Sequence, residues 1–477
     1  MSPDAASMPP PEMVSYNVHW FRGTVFQVFV MGGVYFCAPG MYNALSSLGA
    51  GGLATPWYAN ATAAAGLVFM AVLCIIGGVI VSKIGVRLAL FISTFGDIIY
   101  ASSLYLNSKN GTQWFLLFGS IISGATDGLL YAIEGPIITA YPEPDRRGRI
   151  LSLWAFMHNA AKIVGGSIIF SLNSHRTTKG AVSLQTYLAI IGVMCIGPFL
   201  SLLLSKPEKV QRRDGVKITF RKMSWSRTLY EFYKVVSSRS VLLLCPWFFT
   251  QWLYNAYVGT LQTQFFSVRT RALCSLLVPW GDIFGAFIMG HFLDHAKRLS
   301  INQRARFTWA FLMALTLGLW VWAAIISKQL EGHPSGIDWS SGAIFGKIFG
   351  LIFMFEFTSM ATQTLLYWLI GHMYSDFLVL LYMVGTLRGM ECIGQAVAYG
   401  IKSKNLSDWV AIGLNIGLIV FSMPFAWVVI RKIGVERFEE IDFGSANAVD
   451  EKKDVTDVEV KERDLEDDSV TDSKSLQ

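Results

Sequence analysis

The chain has 477 residues, of which 53% are apolar and only 15% are charged. The 43 glycines raise the apolar share to about 62%, whereas soluble domains reach about 45–50% on that count and carry about 25% charged residues. This composition excludes an ordinary soluble enzyme and predicts a protein that crosses a membrane several times.

Charge is distributed unevenly along the chain. Residues 436–477 hold 15 acidic and 6 basic side chains, a net charge of −9, whereas the preceding residues hold 18 acidic and 33 basic side chains. The formal net charge of +6 is therefore the sum of a basic body and an acidic tail, and it does not indicate a nucleic-acid partner. The tail contains too few apolar residues to fold and is predicted to be disordered.

Twelve segments are long and apolar enough to cross a bilayer as helices, which takes about 20 residues each. The predicted spans are 23–45, 60–82, 88–107, 113–139, 150–172, 184–205, 241–261, 270–293, 307–327, 343–370, 377–400 and 408–430. We therefore predict an all-α integral membrane protein. Its expected parts are an N-terminal segment 1–21, a six-helix half 22–205, a basic linker 206–240, a second six-helix half 241–432 and an acidic tail 433–477.

The basic residues of the loops predict the orientation. With the N-terminus inside, the inner loops carry 22 Lys and Arg residues and the outer loops carry 8. Because cytoplasmic loops are enriched in these residues, both termini are expected in the cytoplasm of a plasma membrane or endomembrane protein. The three N-glycosylation sequons, at Asn60, Asn110 and Asn405, all fall on the predicted outer side.

The linker holds 10 basic and 3 acidic side chains. Within it, Trp225–Val236 has the pattern of an amphipathic basic helix on the inner leaflet. A plain positively charged connection between the halves explains the same residues equally well.

No pattern of metal or cofactor ligation is visible. The six cysteines are isolated in apolar stretches without CxxC spacing, and nucleotide-binding or hydrolase motifs are absent from the sequence. We therefore expect no catalytic residues, no metal, no cofactor and no enzyme activity.

Two related turns favour an internal duplication. Gly78, Ser82, Gly85 and Arg87 follow the spacing G-x-x-x-D-x-x-G-x-R between spans 2 and 3, with serine at the acidic position. In the second half, a stretch from Gly290 through Asp294 to Arg298 occupies the equivalent point. The glycines are expected to allow a tight turn and close helix approach. Two six-helix halves with such turns resemble the major facilitator superfamily, whose substrate site lies between the halves.

One segment narrows this resemblance. The stretch Pro39–Gly52, PGMYNALSSLGAGG, is similar to a hallmark of the Unc-93-like family, a divergent branch of that superfamily. Gly124–Gly135, Tyr254–Tyr257 and Leu276–Asp282 also fit, and the match is best to fungal members. The resemblance implies a twelve-helix fold. Because some family members regulate potassium channels or assist receptor trafficking, it does not by itself imply transport.

Charged residues inside the predicted spans are the candidates for function, because a charge at bilayer depth needs a partner or a wet cavity. In span 4, Asp127, Tyr131 and Glu134 share one helix face. In span 5, His158 and Lys162 lie one turn apart. The simplest pairing joins Glu134 to Lys162, with His158 nearby as a titrating group.

The second half repeats this arrangement. Glu356 lies in span 10, and Arg388 and Glu391 lie in span 11, the counterparts of spans 4 and 5. Gln251 and Asn255 in span 7 are further polar candidates. One interpretation is a central polar site that binds a charged solute or relays a proton. The other is a set of structural ion pairs and interhelical hydrogen bonds.

Two functions follow from these interpretations. The first is a secondary transporter or effluxer of a small solute, with protons as a candidate coupling ion. The second is a non-transporting accessory protein that regulates a channel or assists another membrane protein. Both require the lipid bilayer as a partner.

Overall fold

The computed structural model describes residues 18–53, 55–141, 147–213, 225–296, 298–373, 377–404, 406–436 and 438. The predicted N-terminal segment up to residue 17, part of the linker and nearly all of the acidic tail lie outside this part of the chain. We call the described residues before the linker helix the N-terminal half and those after it the C-terminal half.

The N-terminal half consists of helices joined by short loops. Its α-helices are α1 (Thr24–Cys37), α2 (Pro39–Ser46), α3 (Pro56–Ile84), α4 (Val86–Ser93), α5 (Phe95–Asn110), α6 (Gln113–Ala140), α7 (Arg147–Asn173), α8 (Leu184–Met194) and α9 (Ile196–Ser201). They occupy the first six predicted spans.

The linker contains one helix, α10 (Trp225–Val236), with the bounds that the sequence predicts. The C-terminal half follows with α11 (Arg239–Thr250), α12 (Tyr254–Phe265), α13 (Val268–Leu277), α14 (Pro279–His295), α15 (Ile301–Leu330), α16 (Ala343–Met373), α17 (Phe377–Lys402) and α18 (Asp408–Ile430). These helices occupy the last six predicted spans, and no strand occurs among the described residues.

Several predicted spans are interrupted. The first is divided at Ala38, directly before Pro39, and the eighth at Val278, directly before Pro279. Proline has no backbone N–H to continue a helix, so a break at these points is expected. The seventh is divided at residues 251–253, where the regular helical hydrogen bonding is interrupted between α11 and α12.

Nine stretches of the described chain are long and apolar enough to cross a membrane. They are Thr24–Ser46, Pro56–Gly78, Val86–Asn110, Gln113–Glu134, Leu184–Ser201, Val268–His295, Ile301–Leu330, Ala343–Met373 and Asp408–Ile430. Helices α7, α11 with α12, and α17 account for the other three predicted spans without belonging to this set. The all-helical membrane fold is confirmed, and the count of twelve spans stays a prediction.

The largest contacts between the halves are those of α3 with α17 and of α7 with α13. Glycines permit both contacts. A Cβ on Gly166 of α7 would lie 2.4 Å from the Ser275 carbonyl oxygen, and a Cβ on Gly389 of α17 would lie 2.6 Å from Ile75 Cγ1. These distances are below van der Waals contact, so the backbones approach more closely than a larger residue allows. Two of the polar residues predicted from the sequence, Lys162 on α7 and Arg388 on α17, belong to these pairs.

The turn predicted between spans 2 and 3 is present. Gly85 ends α3 with a φ of 87°, a conformation that favours glycine. The Arg87 guanidinium donates to the Leu202 carbonyl oxygen at 2.5 Å and so holds the start of α4 against the chain after α9. A Cβ on Gly78 would have no described atom within 4 Å, so the expected close helix approach is not seen there.

Candidate functional site

The ion pair between Lys162 and Asp282 lies where the halves meet. Lys162 Nζ on α7 lies 2.5 Å from Asp282 Oδ2 at the start of α14, and their side chains are 14% and 1% exposed. The sequence-based pairing of Lys162 with Glu134 is therefore not the observed one. Asp282 reaches Lys162 because α7 packs along α13 and the first turn of α14. Glu134 lies on α6 and is 5% exposed.

Glu356 adds a second carboxyl to this pair. A Cβ on Gly281 would lie 3.4 Å from Glu356 Cβ, which places α16 directly against the first turn of α14. The Glu356 carboxyl lies beside both Asp282 and the Tyr254 hydroxyl. One ammonium group and two carboxyl groups therefore share a buried space between the halves. Such a set can exchange partners with a charged solute, because one carboxyl is not needed to neutralise Lys162.

Arg388 forms a second charged contact across the interface. Its Nη1 lies 2.6 Å from Glu391 Oε2 on the same helix, α17. Its guanidinium carbon also lies 4.9 Å from the centre of the Tyr131 ring on α6, within the range of a cation–π interaction. Arg388 is therefore neutralised in its own half and packed against the other half.

His158 belongs to a polar cluster in the N-terminal half. Its Nε2 lies 3.0 Å from the Tyr35 hydroxyl, and the two rings stack with centres 4.0 Å apart. Asn43 Nδ2 donates to the same hydroxyl at 3.1 Å. The Tyr35 ring lies 6.3 Å from that of Tyr131, so the cluster continues to Arg388.

Gln251 and Asn255 are not at the centre of this arrangement. Gln251 Nε2 donates to the Ser359 carbonyl oxygen at 2.6 Å and links α11 to α16 inside the C-terminal half. It lines a cavity of about 30 Å³ together with Tyr254 and Thr358. That volume holds about one water molecule, so these residues act here as interhelical hydrogen-bonding groups. Asn255 is half-buried in the first turn of α12.

Asp127 lies one turn before Tyr131 on α6 and is 4% exposed. Its carboxyl lies beside that of Asp97 on α5. Two residues of the predicted shared face therefore have different surroundings, since Asp127 lies beside Asp97 whereas Tyr131 lies beside Arg388 of the other half.

A buried arginine at the predicted outer end was not recognised from the sequence. Arg271 on α13 is 0% exposed. Its guanidinium donates to the carbonyl oxygens of Leu48 at 2.7 Å, Gly49 at 2.7 Å, Gly180 at 3.0 Å and Leu53 at 3.2 Å. All four acceptors belong to loops of the N-terminal half. Arg271 therefore closes the interface at this end.

The sequons differ in accessibility. Asn60 is 2% exposed, and its Nδ2 donates to Thr260 Oγ1 and to the Lys402 carbonyl oxygen, both at 3.0 Å. The prediction of Asn60 as a glycosylation site is therefore wrong for this structure, because its amide is buried between α3, α12 and α17. Asn110 is exposed at the end of α5 and stays a candidate. Asn405 lies outside the described residues.

The fold and this interface can be compared with known proteins. A family model described as Major Facilitator Superfamily matches residues 23–387. The chain belongs to the major facilitator superfamily. The solved structures that it resembles include a D-xylose-proton symporter, with a TM-score of 0.56 and 12% identity over 88% of this chain and 99% of that one. A peptide transporter with bound sulfate gives a TM-score of 0.61 and 12% identity over 86% and 96%. At this identity the likeness concerns the fold alone.

Curated relatives confirm the narrower resemblance. The chain is 34% identical to "Notoamide biosynthesis cluster protein O'" of Aspergillus versicolor over 87% of this chain and 90% of the relative. It is 29% identical to UNC93-like protein 1 of Arabidopsis thaliana over 85% and 89%. An UNC93-like protein of Schizosaccharomyces pombe is 28% identical over 86% and 84%. The chain is thus an Unc-93-like member of the superfamily.

Proposed function

We propose that this protein is a secondary transporter that moves a small charged organic solute through the site formed by Lys162, Asp282 and Glu356. The observation that carries the proposal is the ion pair between Lys162 of one half and Asp282 of the other. Transporters of this architecture bind their substrates between two related halves near the bilayer midplane. A solute that replaces this ion pair would change the interaction between the halves.

The composition of the site favours a class of solute. Two carboxyls can receive an amine or another cationic group, and Lys162 can receive an anionic group. An organic cation or a zwitterion therefore fits better than a neutral sugar. The relative named after a biosynthesis cluster supports a metabolite as the cargo. We further propose that protons are the coupling ion and that both termini lie in the cytoplasm of a plasma membrane or endomembrane.

Purified protein in liposomes tests this proposal. Uptake of three radiolabelled probes, tetraethylammonium, a mixture of amino acids and benzoate, is measured with and without a pH gradient. We expect uptake of the cation or of the amino acids, and its loss when a protonophore collapses the gradient. Lys162→Gln should abolish this uptake because it removes the charge that joins the halves.

Lys347→Gln is the matched control. Lys347 also lies in a predicted span but is exposed on α16, so its neutralisation should leave uptake unchanged. Equal loss in both variants would contradict a role of the central site. No uptake of any probe, together with a membrane protein that co-purifies in stoichiometric amount, would favour the accessory function instead.

A further inference from the structure

The close contact between α5 and α6 brings two acidic residues together outside the site just described. A Cβ on Gly96 would lie 1.7 Å from Thr126 Oγ1 and 2.9 Å from Ser123 Cα, so this glycine lets the helices approach to backbone contact. Asp97 follows Gly96 directly, and Asp127 follows Thr126. The packing of these helices therefore fixes both acidic residues at the same level of the N-terminal half.

The hydrogen bonds at this contact are incomplete. Ser123 Oγ donates to Asp97 Oδ1 at 2.7 Å. Asp127 is one turn after Ser123 on α6, and its carboxyl lies against that of Asp97. Asp97 is 0% and Asp127 is 4% exposed. Asp97 Oδ2 and Asp127 Oδ1 are buried and receive no hydrogen bond from any described donor.

The groups around the two carboxyls do not include a described cation that pairs with them. The titratable groups that face them are Tyr100 on α5, Tyr42 on α2, Cys74 on α3, Tyr131 on α6 and Cys392 on α17. Two other buried acidic residues differ in this respect. Asp282 pairs with Lys162, and Glu391 pairs with Arg388.

Two ionised carboxylates in this position would repel each other without compensation in a region of low dielectric. A single shared proton removes one charge and supplies a donor for the buried oxygens that have none. Carboxyl pairs that share a proton titrate as a unit. From this geometry, we propose that Asp97 and Asp127 form a proton-binding site, and that the proton held there is the coupling ion of the transporter proposed above.

The position of the pair suggests how proton release is linked to movement of the halves. Tyr131 lies one turn further along α6, and Arg388 of α17 packs over its ring. One helical turn is about 5.4 Å. A sliding of α17 along α6 by this distance would bring the guanidinium of Arg388 beside Asp127, where its charge favours the ionised carboxylate. Asp127 would then be neutralised either by the bound proton or by Arg388, but not by both at once.

The experiment is infrared spectroscopy of the purified full chain in lipid nanodiscs at neutral pH. We expect a carboxylic-acid carbonyl band that shifts in D₂O, which shows that its proton exchanges with solvent. The double variant Asp97→Asn with Asp127→Asn should lose the absorption of one protonated carboxyl per chain. Each single variant should change this band, and Ser123→Ala should shift its frequency without removing it.

Two control variants separate this band from others. Glu356→Gln can remove only absorption from Glu356 itself and should leave the band of Asp97 and Asp127 in place. Asp294→Asn, at an exposed residue of α14, should leave the carboxylic-acid absorption unchanged. A double variant that keeps the full wild-type band would overturn the proton site, and so would a band that does not shift in D₂O.

The result is independent of the transport assay, although the coupling role rests on the proposed function. A chain that shows the band but moves no probe refutes the transporter proposal and leaves the proton site in place. A chain that transports without the band refutes the proton site alone.

Discussion

Lys162 forms a buried ion pair that joins the two halves. Its partner Asp282 is 1% exposed in its side chain and lies beside Glu356. Removing the lysine would leave two acidic groups together in a buried space. Breaking a buried ion pair at one partner costs about 3–5 kcal/mol, because the other charge stays buried without compensation.

We therefore predict that Lys162→Ala lowers the free energy of unfolding by about 3 kcal/mol. Asp282→Asn should also destabilise the protein. The double variant should lose less than the sum of both, with a coupling of about 1–3 kcal/mol. The measurement is the unfolding midpoint of each purified variant in detergent. Lys347→Ala serves as the control, and additive effects of Lys162 and Asp282 would show that they do not interact.

The sequence predicted which residue types lie in the interior but not which of them meet. The spacing on α6 and α7 correctly identified Lys162 as a residue in need of a partner, whereas the observed partner comes from the other half. Periodicity describes one helix face at a time and carries no information on the register between two halves. Arg271 was not recognised from the sequence as a residue of the interface. Its surroundings are backbone carbonyls from distant loops, which leave no signature in the sequence.

At the level of elements, hydrogen bonds and an ion pair connect the loop between α15 and α16 to the start of α13. Asp338 Oδ1 accepts hydrogen bonds from Ser267 Oγ and Thr270 Oγ1, both at 2.9 Å. The same carboxylate forms an ion pair with the Arg269 guanidinium. This pair and the hydrogen bonds hold the pKa of Asp338 well below its usual range. The folded state thus favours the ionised carboxylate more than the unfolded state does.

The sign of the pH dependence follows from this lowered pKa. Asp338 contributes stability above the pKa of an unfolded aspartate, about 3.9, and this contribution is lost as the pH falls further. We predict that Asp338→Asn lowers the unfolding free energy at pH 7 by about 1–2 kcal/mol. The difference from the wild type should stay nearly constant down to about pH 4 and shrink as the pH falls below that value, as measured by thermal unfolding on both sides of it.

Glu331 provides the matched control in the same loop. It pairs with Lys328, but its side chain is 51% exposed, so solvent screens the interaction. Glu331→Gln should therefore have a smaller effect than Asp338→Asn at pH 7. A loss in Asp338→Asn that stays constant with pH would contradict the electrostatic explanation and point to packing alone.

The helices themselves were largely predictable. Each apolar segment found in the sequence corresponds to helix, and α10 begins and ends at the predicted residues. These features depend on local composition and on a period of 3.6 residues. The division of the seventh span after Thr250 was not predicted. The residues on both sides of it have the same mixture of apolar and polar side chains as the uninterrupted spans. The spans that contain Pro39 and Pro279 were also predicted as continuous, although the missing N–H of proline explains the breaks there.

At the scale of the whole molecule, one end of the interface is closed by hydrogen bonds between the halves. Arg271 reaches four carbonyl oxygens of the N-terminal half. In the other direction, the Asn60 amide on α3 of the N-terminal half donates to Thr260 Oγ1 and to the Lys402 carbonyl oxygen of the C-terminal half. A transporter that alternates between two open sides must break these contacts when this end opens. For the transporter proposed above, we call Arg271 and its hydrogen bonds to these four carbonyl oxygens the latch of this end.

We predict that Arg271→Gln shifts the population towards a state that is open at this end. Glutamine has too few N–H donors to bond all four carbonyl oxygens that Arg271 reaches. Spin labels at Lys179 and Lys328, which are exposed on opposite halves at this end, report the separation in a cysteine-free background. Double electron–electron resonance should show a longer distance component in the variant. Arg271→Lys should have an intermediate effect, since it keeps the charge but not the five donors.

Arg176→Gln separates the latch from a general loss of charge at this end. Arg176 donates to the Ala181 carbonyl oxygen within its own half, so its removal does not disconnect the halves. If both variants gave the wild-type distances, the glycine contacts along α7 and α13 would suffice to keep this end closed. If only Arg271→Gln lengthened them, a single buried guanidinium would set the balance between the two states.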